Sequence, residues 1–408
     1  MPLGQPREVS VRKYSLGLML TLMLVASALT CVVTVVVTSL YHTKYSIASG
    51  GITKATQSLK ALLEKIDEVY IGELDLEEAS VAAMRSVVDS LGDRWSYYLT
   101  KAEYDEYMDR INNRYAGIGV GVTTNSSGMF IQYVYKGSPA EAAGIVMGDT
   151  VTAIDGESIA GMTLIDITGM LARPIGDEVE LDILDESGVS RRISVKYEYI
   201  FTDPVYYEML EGEIGYVALM DFDTGSAESF ISAVKDLIGQ GARAFIYDVR
   251  SNPGGMVREL TQILDYLLPE GDTFITVDKK GKETVEHTSG PDTVELPSVV
   301  LVNAHSYSAA EYFTAMLHEY GYAQTVGEQT TGKNRMQVTF VLPGGAALHI
   351  STSEYVTRDR VSLYDAGGYT PDYLIPFTED EYAAYYAGRL GYDDDPQMQM
   401  ALDLLKAR

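Results

Sequence analysis

Of 408 residues only one is cysteine, Cys31, and it lies inside an N-terminal apolar run. A disulfide within the chain, a multi-cysteine zinc site and an iron–sulfur cluster are thereby excluded by arithmetic. An exported protein can also lack disulfides, so the count leaves the compartment open. Positive charge is scarce: 31 Lys and Arg stand against 58 Asp and Glu, a net of −27. Such a molecule repels polyanions, which argues against a nucleic-acid partner, and the acidity reads as a soluble, self-repelling surface. Histidine is scarce too, with five in all. His42 sits at the edge of the apolar run, and His287, His305, His318 and His349 fall in no recognisable motif. With no Gly-x-Ser-x-Gly elbow either, a Ser-His-Asp hydrolase has little footing; His305 is the residue on which to test it. Internal repeats and low-complexity tracts are absent, and Asp393-Asp394-Asp395 reads as solvated surface.

What is present begins with a long apolar segment. From Tyr14 to Thr43 there is no Lys, Arg, Asp or Glu, and Leu16 to Leu40 is mostly Leu, Val, Met and Ala. A bilayer-spanning helix needs about 20 such residues. Arg7, Arg12 and Lys13 precede the run, so the positive-inside rule keeps the first residues cytoplasmic and sends the remainder out. A cleaved signal peptide is the competing reading, with Ala26-Ser27-Ala28 as its cleavage site. The run continues past that point through Val32, Val33, Val35, Val36 and Val37, which favours an uncleaved anchor. Either reading puts the rest of the chain outside the cytoplasm.

After a polar linker around Tyr45 to Lys54, residues 57–113 read as helical, with Leu59, Leu62, Leu63 and Ile66 at helical spacing and a second helix over Glu77 to Leu91. Tyr97, Tyr98, Tyr104 and Tyr107 follow and read as packing residues. From Tyr115 short β-like segments appear: Ile118 to Thr123, Met129 to Tyr135, Thr150 to Ile154, Val179 to Leu184 and Ser190 to Tyr197. One helix is expected over Leu164 to Leu171. Beyond residue 200 strands and helices alternate: Ile214 to Leu219, Ser226 to Ile238, Ala244 to Val249, Val257 to Leu268, Val299 to Asn303 and Ala309 to Tyr320. That alternation predicts a mixed α/β layer with parallel pairing.

Three ordered motifs occupy the middle region: Tyr115-Ala-Gly-Ile-Gly-Val-Gly-Val122, Lys136-Gly-Ser-Pro-Ala-Glu-Ala-Ala-Gly144 and Gly148-Asp-Thr-Val-Thr-Ala-Ile-Asp-Gly156. Together they resemble the PDZ domain of bacterial proteases. A Gly-rich loop leaves backbone N–H groups free to face a terminal carboxylate, beside a strand edge that can pair with an extended peptide. The resemblance makes Gly117, Ile118, Gly119 and Val120 the peptide-binding loop.

Ser306-Tyr-Ser308-Ala-Ala-Glu311 follows the apolar strand Val299 to Asn303 and opens a predicted helix. A serine there is presented beside free N-terminal N–H groups that favour a developing oxyanion. It still needs a base. Downstream stands Gly327-Glu-Gln-Thr-Thr-Gly-Lys333-Asn-Arg-Met-Gln337. A lysine serves as base near neutrality only if burial or a neighbouring cation lowers its pKa, and a polar group must orient it; Gln337 can supply that contact. Alone, Ser308 would read as a helix N-cap and Lys333 as surface charge; together they do not.

The pairing resembles the carboxyl-terminal processing peptidases, the S41 serine proteases. Their Ser-x-Ser-x-x-Glu and Thr-x-Gly-Lys-x-x-x-Gln segments match Ser306, Ser308, Glu311, Thr330, Gly332, Lys333 and Gln337. Asp248-Val-Arg-Ser-Asn-Pro-Gly-Gly255 matches the glycine turn, and Ile214-Gly-Tyr-Val217 and Gly368-Tyr-Thr-Pro-Asp372 match further segments. Tyr307 departs from the pattern, which commonly has a small residue there, and Thr331-Gly332-Lys333-Asn334-Arg335 replaces the usual Phe-Gly-Lys-Gly. Arg335 reads as a solvated arginine.

The resemblance implies Ser308 as nucleophile, Lys333 as general base and Gln337 as its orienting group. It assigns the oxyanion hole to Ala309 and one of Gly254 and Gly255. Neither metal nor cofactor is implied. The implied architecture is α+β and multidomain, with a mixed α/β ClpP/crotonase-like protease core. Residues 1–14 would be a cytoplasmic tail, 15–40 the transmembrane anchor, 41–56 a linker and 57–113 a helical region. The PDZ domain would span 114–198, the peptidase core 199–385 and a C-terminal helical segment 386–408. The expected protein is a single-pass membrane endopeptidase facing away from the cytoplasm and acting on proteins or peptides with accessible C-termini, and the resemblance allows a homodimer. The alternative from another class is an anchored peptide-binding scaffold with an idle core, against which both the nucleophile and the base are retained.

Overall fold

The computed structural model describes residues 50–185 and 187–406. The apolar run of residues 16–40, with Cys31 and the anchor expected at 15–40, lies outside them, as does His42. Among the described residues no helix is long and apolar enough to cross a membrane. Two compact units divide after Ala83. In the first, residues 50–69 are helical (α1), so helix already occupies part of the stretch expected as linker. A second helix, α2 (Leu76–Asp89), starts where Asp75 Oδ1 accepts the N–H groups of Glu77 and Glu78, both at 2.9 Å.

The second unit holds everything downstream. Residues 57–113 are not helical throughout. After Gly92, at φ +66°, the chain turns, and Tyr97–Leu99 forms strand β1 before α3 (Lys101–Ile111). The reason is local and tertiary at once: Asp93 accepts from Trp95 N and Ser96 Oγ, while β1 finds a partner far along the chain, Tyr97 opposite His349. A three-residue strand carries too little periodicity to be read in advance.

The middle region is a sheet of its own. β2 (Arg114–Gly117) leads into β3 (Val120–Asn125), β4 (Gly128–Val134), α4 (Pro139–Ala142), β5 (Thr150–Ile154), β6 (Glu157–Ser158), α5 (Leu164–Leu171), β7 (Glu178–Leu184) and β8 (Ser190–Lys196). The order is β3-β4-β5-β7-β8, all antiparallel, with β6 on β5. Alternation along β7, with Val179, Leu181 and Ile183 buried, drives one face onto Met129, Ile131, Val151, Ile154 and Ile167. β9 (Glu198–Phe201) runs back along β2, Gly117 opposite Glu198, so the region leaves the molecule and returns at one place.

From Val205 the chain builds the larger core: β10 (Val205–Leu210), β11 (Ile214–Leu219), α6 (Ser226–Gln240), β12 (Ala244–Asp248), α7 (Val257–Leu267), β13 (Gly271–Val277), β14 (Glu283–Ser289), β15 (Ser298–Val302), α8 (Ala309–Glu319) and β16 (Ala323–Gly327). β17 (Arg335–Val341), β18 (Ala347–Val356), β19 (Tyr373–Leu374), α9 (Glu379–Tyr386) and α10 (Pro396–Lys406) complete it. β11, β12 and β15 are buried along their whole length, as strands covered on both faces must be. They run parallel in the order β10-β11-β12-β15-β16-β19, with β10 alone antiparallel. Phe230, Leu264 and Phe313 from α6, α7 and α8 cover one face; Met398, Ala401 and Leu405 of α10 cover the other. A fully buried Phe contributes roughly 1.5–3 kcal/mol. A second sheet, β1-β18-β13-β14 with β17 on β18, stands beside this core. Of its strands, β14 faces solvent and shows no apolar period, while the short alternation of Met336, Val338 and Phe340 along β17 follows directly on the lysine segment.

Candidate active site

In open parallel sheets, ligands collect beyond the carboxyl ends of adjacent strands. Here the neighbours β12, β15 and β16 each end in a loop that carries one part of the predicted site: Val249 to Met256, Asn303 to Ser308, and Glu328 to Asn334. The sequence-distant motifs therefore meet because their strands pair.

Ser308 precedes the first residue of α8 and has φ 59° and ψ −119°. A non-glycine residue seldom holds that conformation, and its cost of about 1–3 kcal/mol must be met by surrounding contacts. The contacts are present. Glu311, fully buried, accepts the Ser308 N–H at 2.9 Å from one turn on. Upstream, Ser306 Oγ donates to Val249 O at 2.7 Å and accepts Asn303 N at 3.0 Å, tying the loop to the end of β12. The same Glu311 carboxylate accepts Lys333 N at 2.9 Å, Gly332 N at 2.5 Å and Thr330 Oγ1 at 2.5 Å. Serine and lysine loops are thus fastened to one carboxylate, Ser308 N and Lys333 N to the same oxygen. Burial pushes the Glu311 carboxyl above its usual range, and these donors oppose the rise.

Lys333 is half-buried, and its Nζ lies 4.5 Å from the centre of the Trp95 ring. Burial lowers its pKa to about 8; the carboxylates of Asp93 and Glu311 pull the other way and Arg94 assists burial. Arg335, expected as a solvated arginine, is paired to Asp93 at 3.1 Å. Tyr355 lies against the same loop, its hydroxyl donating to Lys333 O at 2.5 Å. Among the described residues no hydrogen bond links Lys333 Nζ to Ser308 Oγ. Gln337 is close in chain but differently engaged. Its amide nitrogen donates to Arg335 O at 2.9 Å and Ser351 Oγ at 3.0 Å, and Ser351 N in turn donates to Ser96 Oγ.

The two glycines of the turn behave differently. Gly254 N donates to the buried Asn252 Oδ1 at 2.8 Å, so that N–H is occupied. The N–H groups of Gly255 and Ala309 find no acceptor among the described residues. Gly254 also passes so close to the serine loop that an added Cβ would stand 2.8 Å from Ser308 Cβ and from Ala309 N. Asn252 holds the turn by donating to Leu219 O at 2.8 Å and accepting Tyr307 N at its own carbonyl at 3.1 Å.

The predicted peptide loop lies elsewhere in the unit, at the entrance to β3. Gly117 ends β2, the Ile118 side chain is buried, Gly119 has φ +85° and packs on Ser138, and Val120 opens β3. The carbonyls of Ile118 and Gly119 accept Ala140 N and Tyr135 N, while their N–H groups have no acceptor among the described residues. β3 is an edge strand. His305 is exposed and packs edge-on against Tyr386, burial lowers His349 to about 4, and among the described residues neither ring is hydrogen-bonded to Ser308. Sequence reasoning passed over Asp93, Trp95, Asn252 and Tyr355; only Asn252, inside the matched glycine turn, carried any signal.

Comparison with known proteins assigns both regions of the chain to known families. The profile of peptidase family S41 matches residues 213–375, and that of the PDZ domain matches residues 130–185. The carboxy-terminal processing protease CtpA of Bacillus subtilis (strain 168) is 29% identical over 88% of this chain and 78% of its own length. A Staphylococcus aureus (strain COL) protein described as CtpA-like is 28% identical over 85% of this chain and 70% of its own. Among solved structures, a Bacteroides fragilis NCTC 9343 protein assigned to the S41 proteases has a TM-score of 0.52 at 19% identity. That likeness covers 83% of this chain and 93% of the other, and it speaks for the fold.

Proposed function

Because this chain belongs to peptidase family S41 and is a serine-type endopeptidase of the carboxyl-terminal processing kind with a PDZ domain, we propose that it cleaves peptide bonds with a Ser308–Lys333 dyad. Lys333 Nζ, uncharged, takes the proton of Ser308 Oγ as the oxygen attacks the scissile carbonyl carbon. The N–H groups of Gly255 and Ala309 receive the oxyanion, and preorganised donors of this type are worth about 10²–10³ in rate. Collapse expels the amine, which regains the proton from Lys333, and leaves an acyl-enzyme on Ser308. Water, deprotonated by the same lysine, then attacks the acyl carbon, and the lysine returns that proton to Ser308 Oγ as the acid leaves. Catalytic hydrogen bonds are often long without substrate, so the missing Nζ–Oγ bond is compatible with this sequence of steps. Gln337 acts one step back, through Ser351 and Ser96, on the turn that carries Asp93.

The observation that carries the reading is the shared Glu311 carboxylate, with Ser308 N and Lys333 N both at 2.9 Å from one oxygen. Around that centre we assign the core to the ClpP/crotonase-like kind. We assign capture of substrate C-termini to residues 117–120, where free N–H groups adjoin an open strand edge suited to β-augmentation. Residues 15–40 are assigned as an uncleaved anchor that holds the catalytic region outside the cytoplasm. The test is cleavage of an unstructured protein by the full chain beside Ser308→Ala and Lys333→Ala. Both variants are expected to fold and to be inactive; full activity in Ser308→Ala would remove the nucleophile.

A further inference from the structure

The turn between α2 and β1 contributes the chain's single tryptophan to the site. Its backbone N–H donates to Asp93 Oδ1 at 3.2 Å, and β1 is pinned to β18 directly afterwards, so the indole has a fixed origin. One neighbour is the ring of Tyr307, 5.9 Å away and stacked at 28°. Another is Lys333 Nζ at 4.5 Å, and the Arg94 guanidinium lies over the indole at 4.2 Å. Lys333 Nζ has no hydrogen-bond acceptor among the described residues, so the indole is the closest thing to a seat that the amine possesses. Tyr307, which departs from the S41 pattern, is the residue that stacks on it.

We propose that Trp95 is a positioning residue for Lys333: its indole, backed by Tyr307, forms a dry wall that seats the amine beside the nucleophile loop and keeps water from it. The inference rests on Lys333 being the general base. Two opposed effects meet at the wall. The ring face attracts an ammonium, which favours the charged form. Covering the amine removes water, which favours the neutral one. Burial is the larger influence on Lys333, so exclusion of water wins. The other charged or titratable groups facing the amine do not supply the dryness. Asp93 and Glu311 favour its charge, Arg94 opposes it, and Arg335 is spent on Asp93. On the β18 side, burial keeps His349 uncharged near neutrality and Tyr355 protonated.

The experiment reads the lysine directly. Full-length Ser308→Ala, which cannot turn over, is labelled at the lysine side chains, and the Lys333 signal is titrated by NMR, assigned by its loss in Ser308→Ala/Lys333→Arg. The expected midpoint is near 8 with Trp95 present. Adding Trp95→Ala moves it toward the ordinary 10.5, whereas Trp95→Phe, which keeps an aromatic wall, stays with the parent. In the Ser308 enzyme, kcat/KM for a short peptide at pH 7 falls about tenfold for each unit gained, KM staying within twofold. A parental midpoint in Trp95→Ala, or an equal rise in Trp95→Phe, overturns the proposal. If Trp95→Ala does not fold, Tyr307→Ala removes the backing ring and is expected to raise the midpoint in the same direction; an unmoved midpoint there overturns it equally. Activity surviving in Lys333→Ala would sink the base assignment instead, an outcome separable from the NMR result.

Discussion

At Glu311 four donors meet one buried carboxylate: Ser308 N, Gly332 N, Lys333 N and Thr330 Oγ1. Truncating such a group orphans every partner, and each orphan costs about 1–3 kcal/mol unless water reaches it. Glu311→Ala is therefore expected to lose on the order of 3–5 kcal/mol of stability by urea unfolding. It should lose activity with it, since this carboxylate holds the backbone N–H groups of Ser308 and Lys333 on one oxygen. Glu311→Gln, which turns an NH2 toward those donors, is expected to fall between the two. The lysine makes a second prediction. Its pKa of about 8 lies below the ordinary 10.5, so the reactive, neutral form gains population as pH rises through 8. kcat/KM for a short peptide should climb along a single limb there and flatten above it. A limb near 6.5 would point to a histidine, and His349, held at about 4, should contribute none in that range.

At the scale of elements, the glycine turn after β12 is braced from beneath by α10. Arg250 is buried with side-chain exposure of 3%; it pairs with Asp248 at 2.6 Å and with Asp395 at 2.6 Å. Asp395 also receives the N–H groups of Gln397 and Met398 at the start of α10, at 2.9 and 3.0 Å. Removing Asp395 leaves Arg250 paired with Asp248 but takes away one charge-assisted hydrogen bond and the acceptor at the start of α10, a loss of about 1–3 kcal/mol. Asp395→Ala should therefore show that loss by denaturant unfolding, together with reduced kcat as the turn carrying Gly255 loosens. Little of this was legible. The parallel strands β11, β12 and β15 were, because strands buried on both faces are apolar along their whole length. Asp395 was read as solvated surface, since an acidic run looks the same in sequence whether or not an arginine from a distant loop is folded onto it.

Across the whole molecule, the PDZ region is joined to the rest through β2 and β9, whose ends lie opposite each other at Gly117 and Glu198. Replacing residues 118–197 by a short Gly-Ser loop should therefore leave the remaining chain folded. If the region captures substrate tails, that deletion will depress cleavage of a long protein with an accessible C-terminus far more than cleavage of a short peptide. Equal effects on both, measured as kcat/KM ratios, would contradict selective capture. The full chain is also expected to sediment with membranes and to be released by detergent but not by salt. A chain beginning at residue 42 should remain in the supernatant.

The identity of the reacting groups, the family pattern and the apolar run at 16–40 depend on residue type and short spacing, and these are local properties that a linear chain displays without folding. The fastening of the Ser308 and Lys333 loops to one carboxylate, the spent N–H of Gly254, the contact of Trp95 with Lys333 and the partner of Asp395 are different in kind. Each depends on which strands pair and on which donors are already spent, and contacts between residues distant in the chain leave no periodicity behind. Chemistry was written along the chain; reach, dryness and free hydrogen-bonding capacity came only with the tertiary fold.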